Sequence, residues 1–216
     1  MMNVNLVRTR EPLWLSFKVP DDIKTEIEDT IENFKKERDA SSTLAGHLEQ
    51  QWYIDGTPKL TELMETLPSV YMEHSEVRGS SFAEDVYLEN NIPFRFKSYW
   101  INYSKKGDFQ PIHNHSGAFS FVIWVKIPYN IEEELSLYNS NDNRAGTFRF
   151  SYLDPRGRLI SEKVDAVEWE GVFFPSWLMH TVYPFKTTDD YRISLSGNVF
   201  LDPQDLLMKD IKYKWH

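Results

Sequence analysis

Residues 110–127 read QPIHNHSGAFSFVIWVKI. From Ala118 to Ile127 the apolar side chains Phe119, Phe121, Ile123, Val125 and Ile127 recur at every second position. That is the period of a β-strand with one face turned to a core. Just before it stand His113 and His115, two apart, which on a strand would project their imidazoles to the same face. The same period appears on either side, in Phe94–Tyr103 and in Thr147–Leu153 with Phe148, Phe150 and Tyr152 on one side. Val172–Trp177, His180–Tyr183 and Tyr191–Phe200 complete the set. Turn signals separate these runs at Lys106-Gly107-Asp108, Asn139–Asn143, Asp154-Pro155-Arg156-Gly157 and Thr187–Asp190. Several short strands with no helical pattern between them predict an antiparallel sandwich or barrel.

Upstream the period is helical. Asp21 or Asp22 is positioned to cap a helix carrying Ile23, Ile27, Ile31 and Phe34 on one stripe. A second helix is expected through Leu44–Trp52. A third begins near Pro58, with Leu60, Leu63, Met64 and Leu67 at helical spacing and Pro68 as its stop. Tyr71–Ser81 reads as a connection. The chain is expected to be one domain over 1–216: a mainly helical N-terminal layer (1–80), a β core (92–200) and a C-terminal extension (201–216). The fold class is α+β, mainly β.

Hydrophobic residues make up 41% of the 216, with 14 Phe, 11 Tyr and 7 Trp, ample for a sizeable core. No apolar run approaches the roughly 20 residues of a spanning helix, and Met1–Arg10 lacks a signal-peptide stretch. A soluble, cytoplasmic protein with no membrane partner is expected. A net charge of −9 with no long basic run argues against nucleic acid as a partner. Cysteine is absent, so disulfides, thiolate nucleophiles and iron–sulfur clusters are excluded, and a metal must be held by His, Asp, Glu or neutral oxygen.

Two same-face imidazoles and a distant third, His180, are what a barrel needs to build a facial metal triad with open positions opposite. A His-x-His pair alone is weak, since surface strands carry such pairs harmlessly. The run Tyr191-Arg192-Ile193-Ser194-Leu195-Ser196 adds to it: apolar residues alternate with a guanidinium and two hydroxyls. If the polar face points inward, Arg192 needs an anion, which a guanidinium binds bidentately. If it points outward, those residues are only the solvated face of an edge strand.

These residues resemble the iron- and 2-oxoglutarate-dependent oxygenases, which carry His-x-Asp or His-x-Glu, a distal His and an Arg-x-Ser about a dozen residues later. Here the positions read His113-Asn114-His115, His180 and Arg192-Ile193-Ser194, and Trp100-Ile101-Asn102-Tyr103 with Gly107 resembles the strand and turn that prolyl-hydroxylase-like members place before their first ligand. The likeness covers roughly residues 92–200 and is strongest to phage-encoded members of cyanophage type; for such a gene the compartment would be the host cytoplasm. It implies a double-stranded β-helix (jelly roll), an Fe(II) site at His113, His115 and His180, and 2-oxoglutarate and O2 as co-substrates, with ascorbate as a candidate reductant. It also implies Arg192 and Ser194 on the far carboxylate of 2-oxoglutarate, Tyr103 as a hydroxyl donor to it, and Asn102 in that role if the strand phase is opposite. The reaction would be hydroxylation of a peptide, protein or small molecule with release of succinate and CO2. One departure is plain: His115 stands where the family usually has a carboxylate, which leaves the site about one charge more positive.

Two other readings stay open. A cupin would use the same barrel without 2-oxoglutarate; Gly107, His113 and His115 fit its first motif, but its Glu is missing after His115 and Arg192 has no role. A β-sandwich binding module with incidental histidines would hold no metal. Phe121, Ile123, Phe174 and Trp177 are candidates for an apolar shell, the run Glu132-Glu133-Glu134 reads as a solvated loop, and Asn130–Arg144 is where substrate choice would be sought. Asp154-Pro155-Arg156 reads as a turn with a local charge pair. His47 is expected on a helix and His74 in a connection, and neither they nor His216 carry a site.

Overall fold

The computed structural model describes residues 14–74, 93–154 and 156–202. Among the described residues ten strands form two antiparallel sheets: β1 (Leu15–Lys18), β2 (Gln50–Ile54), β3 (Phe94–Ser104), β4 (Gln110–His113), β5 (Phe119–Lys126), β6 (Phe148–Leu153), β7 (Leu159–Val164), β8 (Glu170–Pro175), β9 (Met179–Val182) and β10 (Arg192–Leu201). The larger sheet runs β1-β8-β5-β10-β3-β2 and the smaller β4-β9-β6-β7. Together they make the double-stranded β-helix expected from the sequence.

The larger sheet is buried on both faces, for two reasons visible in its pleat. One face carries Tyr99, Ile101, Phe119, Phe121, Ile123, Phe173, Leu195 and Val199, which pack under α1 (Asp21–Asn33) and α2 (Pro58–His74). The other carries Val122, Trp124, Val172 and Phe174, which meet Phe148 and Phe150 of the smaller sheet. Gly197 of β10 permits the close approach on the helix side, because a Cβ there would lie 2.7 Å from both Phe121 and Tyr99. Phe119, Phe121, Ile123 and Val125 share a face as read, but Ile127 packs with the inter-sheet cluster. The register between β10 and β5 slips at Val125, and the extra residue of that bulge inverts the alternation beyond it.

In the helical layer, α1 buries Ile23 and Ile27 as its stripe predicts, but it has no side-chain cap. Its N-cap is Pro20, and Asp21 and Asp22 sit in the first turn, where their charge meets the positive end of the helix dipole. The Glu26 carboxylate instead caps α2, accepting from Lys59 N (3.1 Å) and Leu60 N (3.2 Å). Pro68 does not stop α2, which continues to His74. Burial of Leu67 and Tyr71 on either side outweighs the one lost backbone bond. Tyr71–His74 are therefore helical rather than connecting; 75–81 lie outside the described residues, as does His216.

The expected helix over Leu44–Trp52 is absent. Residues 50–54 form edge strand β2, paired Gln51 to Asn102 and Tyr53 to Trp100, and His47 bridges to Phe109. The N-terminal part thus adds strands β1 and β2 to the barrel as well as helices. Among the described residues no helix is long and apolar enough to cross a membrane.

Candidate metal centre and its cavity

Between the sheets lies a cavity of about 310 Å³. His113, His115 and His180 border it, and their ligand atoms all fall within 4.8 Å of one another. His113 ends β4, and His180 is its register partner on β9, with ring centroids 4.2 Å apart. Between Gln110 and His113 the β4 strand carries one residue more than β9. This bulge spans Pro111 and Ile112, where Pro111 has no N–H to lose on an edge strand, and His113 follows it opposite His180.

His115 is not on the strand, so pleat alternation is not what brings it to its neighbour. Its backbone N–H donates to Ser176 O (2.9 Å), and its ring lies 5.7 Å from Trp100. Gly117 then reverses the chain at φ +99, where a Cβ would also meet Val199 O at 2.8 Å.

Two of the rings are fixed at the nitrogen away from the cluster: His113 Nδ1 donates to Pro111 O (2.7 Å) and His180 Nδ1 to Leu178 O (3.0 Å). That tautomer leaves each Nε2 with a lone pair toward the centre, where His115 Nε2 and His180 Nε2 stand 3.1 Å apart. Burial pushes all three pKa values down, that of His115 to about 3 and that of His180 well below the usual imidazole range. Neutral imidazoles sharing a buried site are the protonation state that a divalent first-row metal requires. Phe148 stacks on His180 at 5.4 Å, with Phe174 and Phe150 edge-on at 5.1 and 6.2 Å. Of the expected shell only Phe174 meets a histidine. Ile123 lies in the helix-side core, Phe121 spans that core and the cavity wall, and Trp177 is 42% exposed.

The polar face of β10 points inward: Arg192, Ser194, Ser196 and Asn198 all border the cavity. Arg192 is 4% exposed and forms no ion pair among the described residues. Its Nη1 donates to Tyr129 Oη and Tyr183 O, both at 3.3 Å, its plane lies over Phe185, and its Nη2 has no partner. A buried guanidinium with an unpartnered N–H, on a residue that borders the same cavity as three imidazoles, fits a ligand carrying a carboxylate at one end and metal-chelating oxygens at the other.

Tyr103 is not in the cavity. The phase of β3 turns Trp100 and Ser104 inward, with Asn102 bonded to inward Ser194, and sends Tyr103 to the helix side, edge-on to Tyr191 with Lys36 over its ring. Asn102 takes the inward position: it is 1% exposed and donates to Ser194 Oγ and Ser196 Oγ, both at 3.3 Å.

The cavity wall also includes Thr43–Gly46, Gln51 and Tyr53, of which Leu44, Ala45, Gly46 and Gln51 fall in the expected helix over Leu44–Trp52. No stretch of Asn130–Arg144 borders it. That segment contains α3 (Ile131–Ser136), whose Glu134 is fully buried rather than solvated. Its carboxylate accepts from Lys186 N, Thr187 N and Thr187 Oγ1, and so anchors the segment holding Tyr183 and Phe185 around Arg192. In the turn after β6, Asp154 pairs with Arg158, not Arg156.

Residues 98–198 match the family described as "Putative 2OG-Fe(II) oxygenase". The span holds all three histidines and Arg192. No curated protein matches in sequence. Among solved structures, a prolyl-4-hydroxylase from Pseudomonas putida is similar at TM-score 0.54 and 14% identity, covering 88% of this chain and 94% of its own. A prolyl hydroxylase from Trichoplax adhaerens in complex with a hypoxia inducible factor peptide gives 0.49 and 13%, covering 91% and 87%.

Proposed function

We propose, from a barrel core of the 2OG-Fe(II) oxygenase family, that this chain is a hydroxylase using Fe(II), 2-oxoglutarate and O2 at the cavity described. The observation that carries the reading is the pairing of two unmet demands in one buried space. His113 and His180 offer lone pairs at Nε2 with His115 Nε2 beside them, and an uncompensated guanidinium offers an N–H.

His113, His115 and His180 would hold the iron, leaving open positions toward the cavity. When bound, the iron and keto acid together supply oxidative decarboxylation coupled to oxygen transfer onto a C–H bond. The protein's own part is positional. Arg192 anchors the far carboxylate, with Ser194 beside it on the same strand face. Phe148, Phe150 and Phe174 keep water from the His180 side. Trp100 packs the His115 side. A cupin-type site would leave Arg192 buried without a purpose.

The test is to give purified protein Fe(II), ascorbate and 2-oxoglutarate labelled at C1. Labelled CO2 and succinate should be released, and His180→Ala should lose both metal and turnover. If the wild type neither binds nor consumes the keto acid, the proposal fails; if His180→Ala keeps its metal content, His180 is not a ligand.

A further inference from the structure

Three buried side-chain atoms lack a hydrogen-bond partner among the described residues: Arg192 Nη2, Gln51 Oε1 and Thr57 Oγ1. Two of these residues, Arg192 and Gln51, border the same cavity, and they ask for opposite partners. Arg192 needs an acceptor and Gln51 a donor. Gln51 is 1% exposed, and its amide is held at the nitrogen end. Nε2 donates to Asn102 Oδ1 at 2.9 Å, and Gly46 presses against it so closely that an added Cβ would lie 3.0 Å away. Asn102 in turn spends its own N–H groups on Ser194 and Ser196. The two serine hydroxyls keep their own O–H groups, but neither of them, nor any other donor among the described residues, is bonded to Gln51 Oε1. A buried carbonyl oxygen left so loses its hydration without a replacement and is destabilising.

2-Oxoglutarate cannot meet that demand, since as a dianion with a keto group it carries only acceptors. We infer that Gln51 is a recognition residue for the primary substrate, and that the group delivered there is an N–H or O–H donor. The inference rests on the proposed oxygenase reading, which assigns Arg192 to the keto acid and leaves Gln51 to a second molecule. It also places the substrate against the β2 wall, where Gly46, Tyr53 and Trp100 border the cavity. An amide N–H and an alcohol O–H share this chemistry and differ in the probe that reveals them.

The experiment uses the full chain loaded with diamagnetic Zn(II) and 2-oxoglutarate, observed by NMR at the Gln51 side-chain amide and the Arg192 guanidinium. N-methylacetamide, ethanol and N,N-dimethylacetamide are titrated separately. The first two carry a donor; the third is an amide without one. A shift at Gln51 with N-methylacetamide or ethanol, about tenfold tighter than with N,N-dimethylacetamide and abolished in Gln51→Leu, is the expected result. The donor probe that binds identifies the source. Equal response to all three, or none, overturns the inference, the latter because water then satisfies the oxygen. Failure of 2-oxoglutarate itself to shift Arg192 would refute the oxygenase reading instead, so the two failures are told apart.

Discussion

Replacing Arg192 by Met tests the anchor through two measurements with opposite signs. In the ligand-free protein the guanidinium is buried, paired with no anion, and bonded only through Nη1 at 3.3 Å to two neutral oxygens. A far carboxylate would gain one strong bond at the free Nη2 and part of a second. At about 1.5–3 kcal/mol per charge-assisted bond, the loss in Arg192→Met is about 3 kcal/mol, or roughly a hundredfold in Kd for 2-oxoglutarate. The same change removes an uncompensated buried charge, so stability of the metal-free protein should be unchanged or raised by about 1 kcal/mol. Arg192→Lys keeps the charge but not the fork and should lose about tenfold. Calorimetric titration of the Mn(II)-loaded, anaerobic protein reads the first quantity, and thermal unfolding of the metal-free protein reads the second. A Met variant that binds the keto acid within about threefold of wild type, or one that unfolds far more easily while binding normally, would show Arg192 to be a structural residue.

Three further outcomes are expected. Tyr103→Phe should leave 2-oxoglutarate affinity unaltered, because the ring faces the helices, while Asn102→Ala should weaken it by disturbing Ser194; parallel titrations decide. Metal-free protein should lose stability as pH falls below about 6.5. His113, His115 and His180 have folded pKa values depressed below their unfolded one, so the unfolded chain takes protons that the folded chain refuses, at about 1.4 kcal/mol per pH unit for each histidine so affected. Denaturant midpoints that stay flat from pH 7 to 5 would contradict this. Glu134→Gln should cost about 2–4 kcal/mol, since an amide N–H would face the Lys186 and Thr187 donors, and it should also weaken keto-acid binding by loosening Tyr183 and Phe185. A variant as stable as wild type in urea would count against that buttress.

By itself the sequence determined an antiparallel sandwich or barrel and the apolar–polar alternation of β10, but not which way its polar face points. Period-two hydrophobicity depends only on which side of the pleat each residue occupies, and Arg192, Ser194 and Ser196 kept that order in the fold. It also marked the residue types from which a metal site had to be drawn, because no cysteine competes. The three-dimensional arrangement alone decided the rest, wherever one residue of slip or one distant contact mattered. The phase of β3 put Asn102 inside and Tyr103 outside. A bulge between Gln110 and His113 set His113 opposite His180, and a carbonyl of Ser176, 61 positions away, seated His115. Residues 44–52 carry a pattern that a helix could satisfy, yet pairing with an exposed edge of β3 made 50–54 a strand and turned Gln51 into the cavity wall. Backbone hydrogen bonding to a waiting strand overrides local preference, and no local pattern reports that the strand will be there.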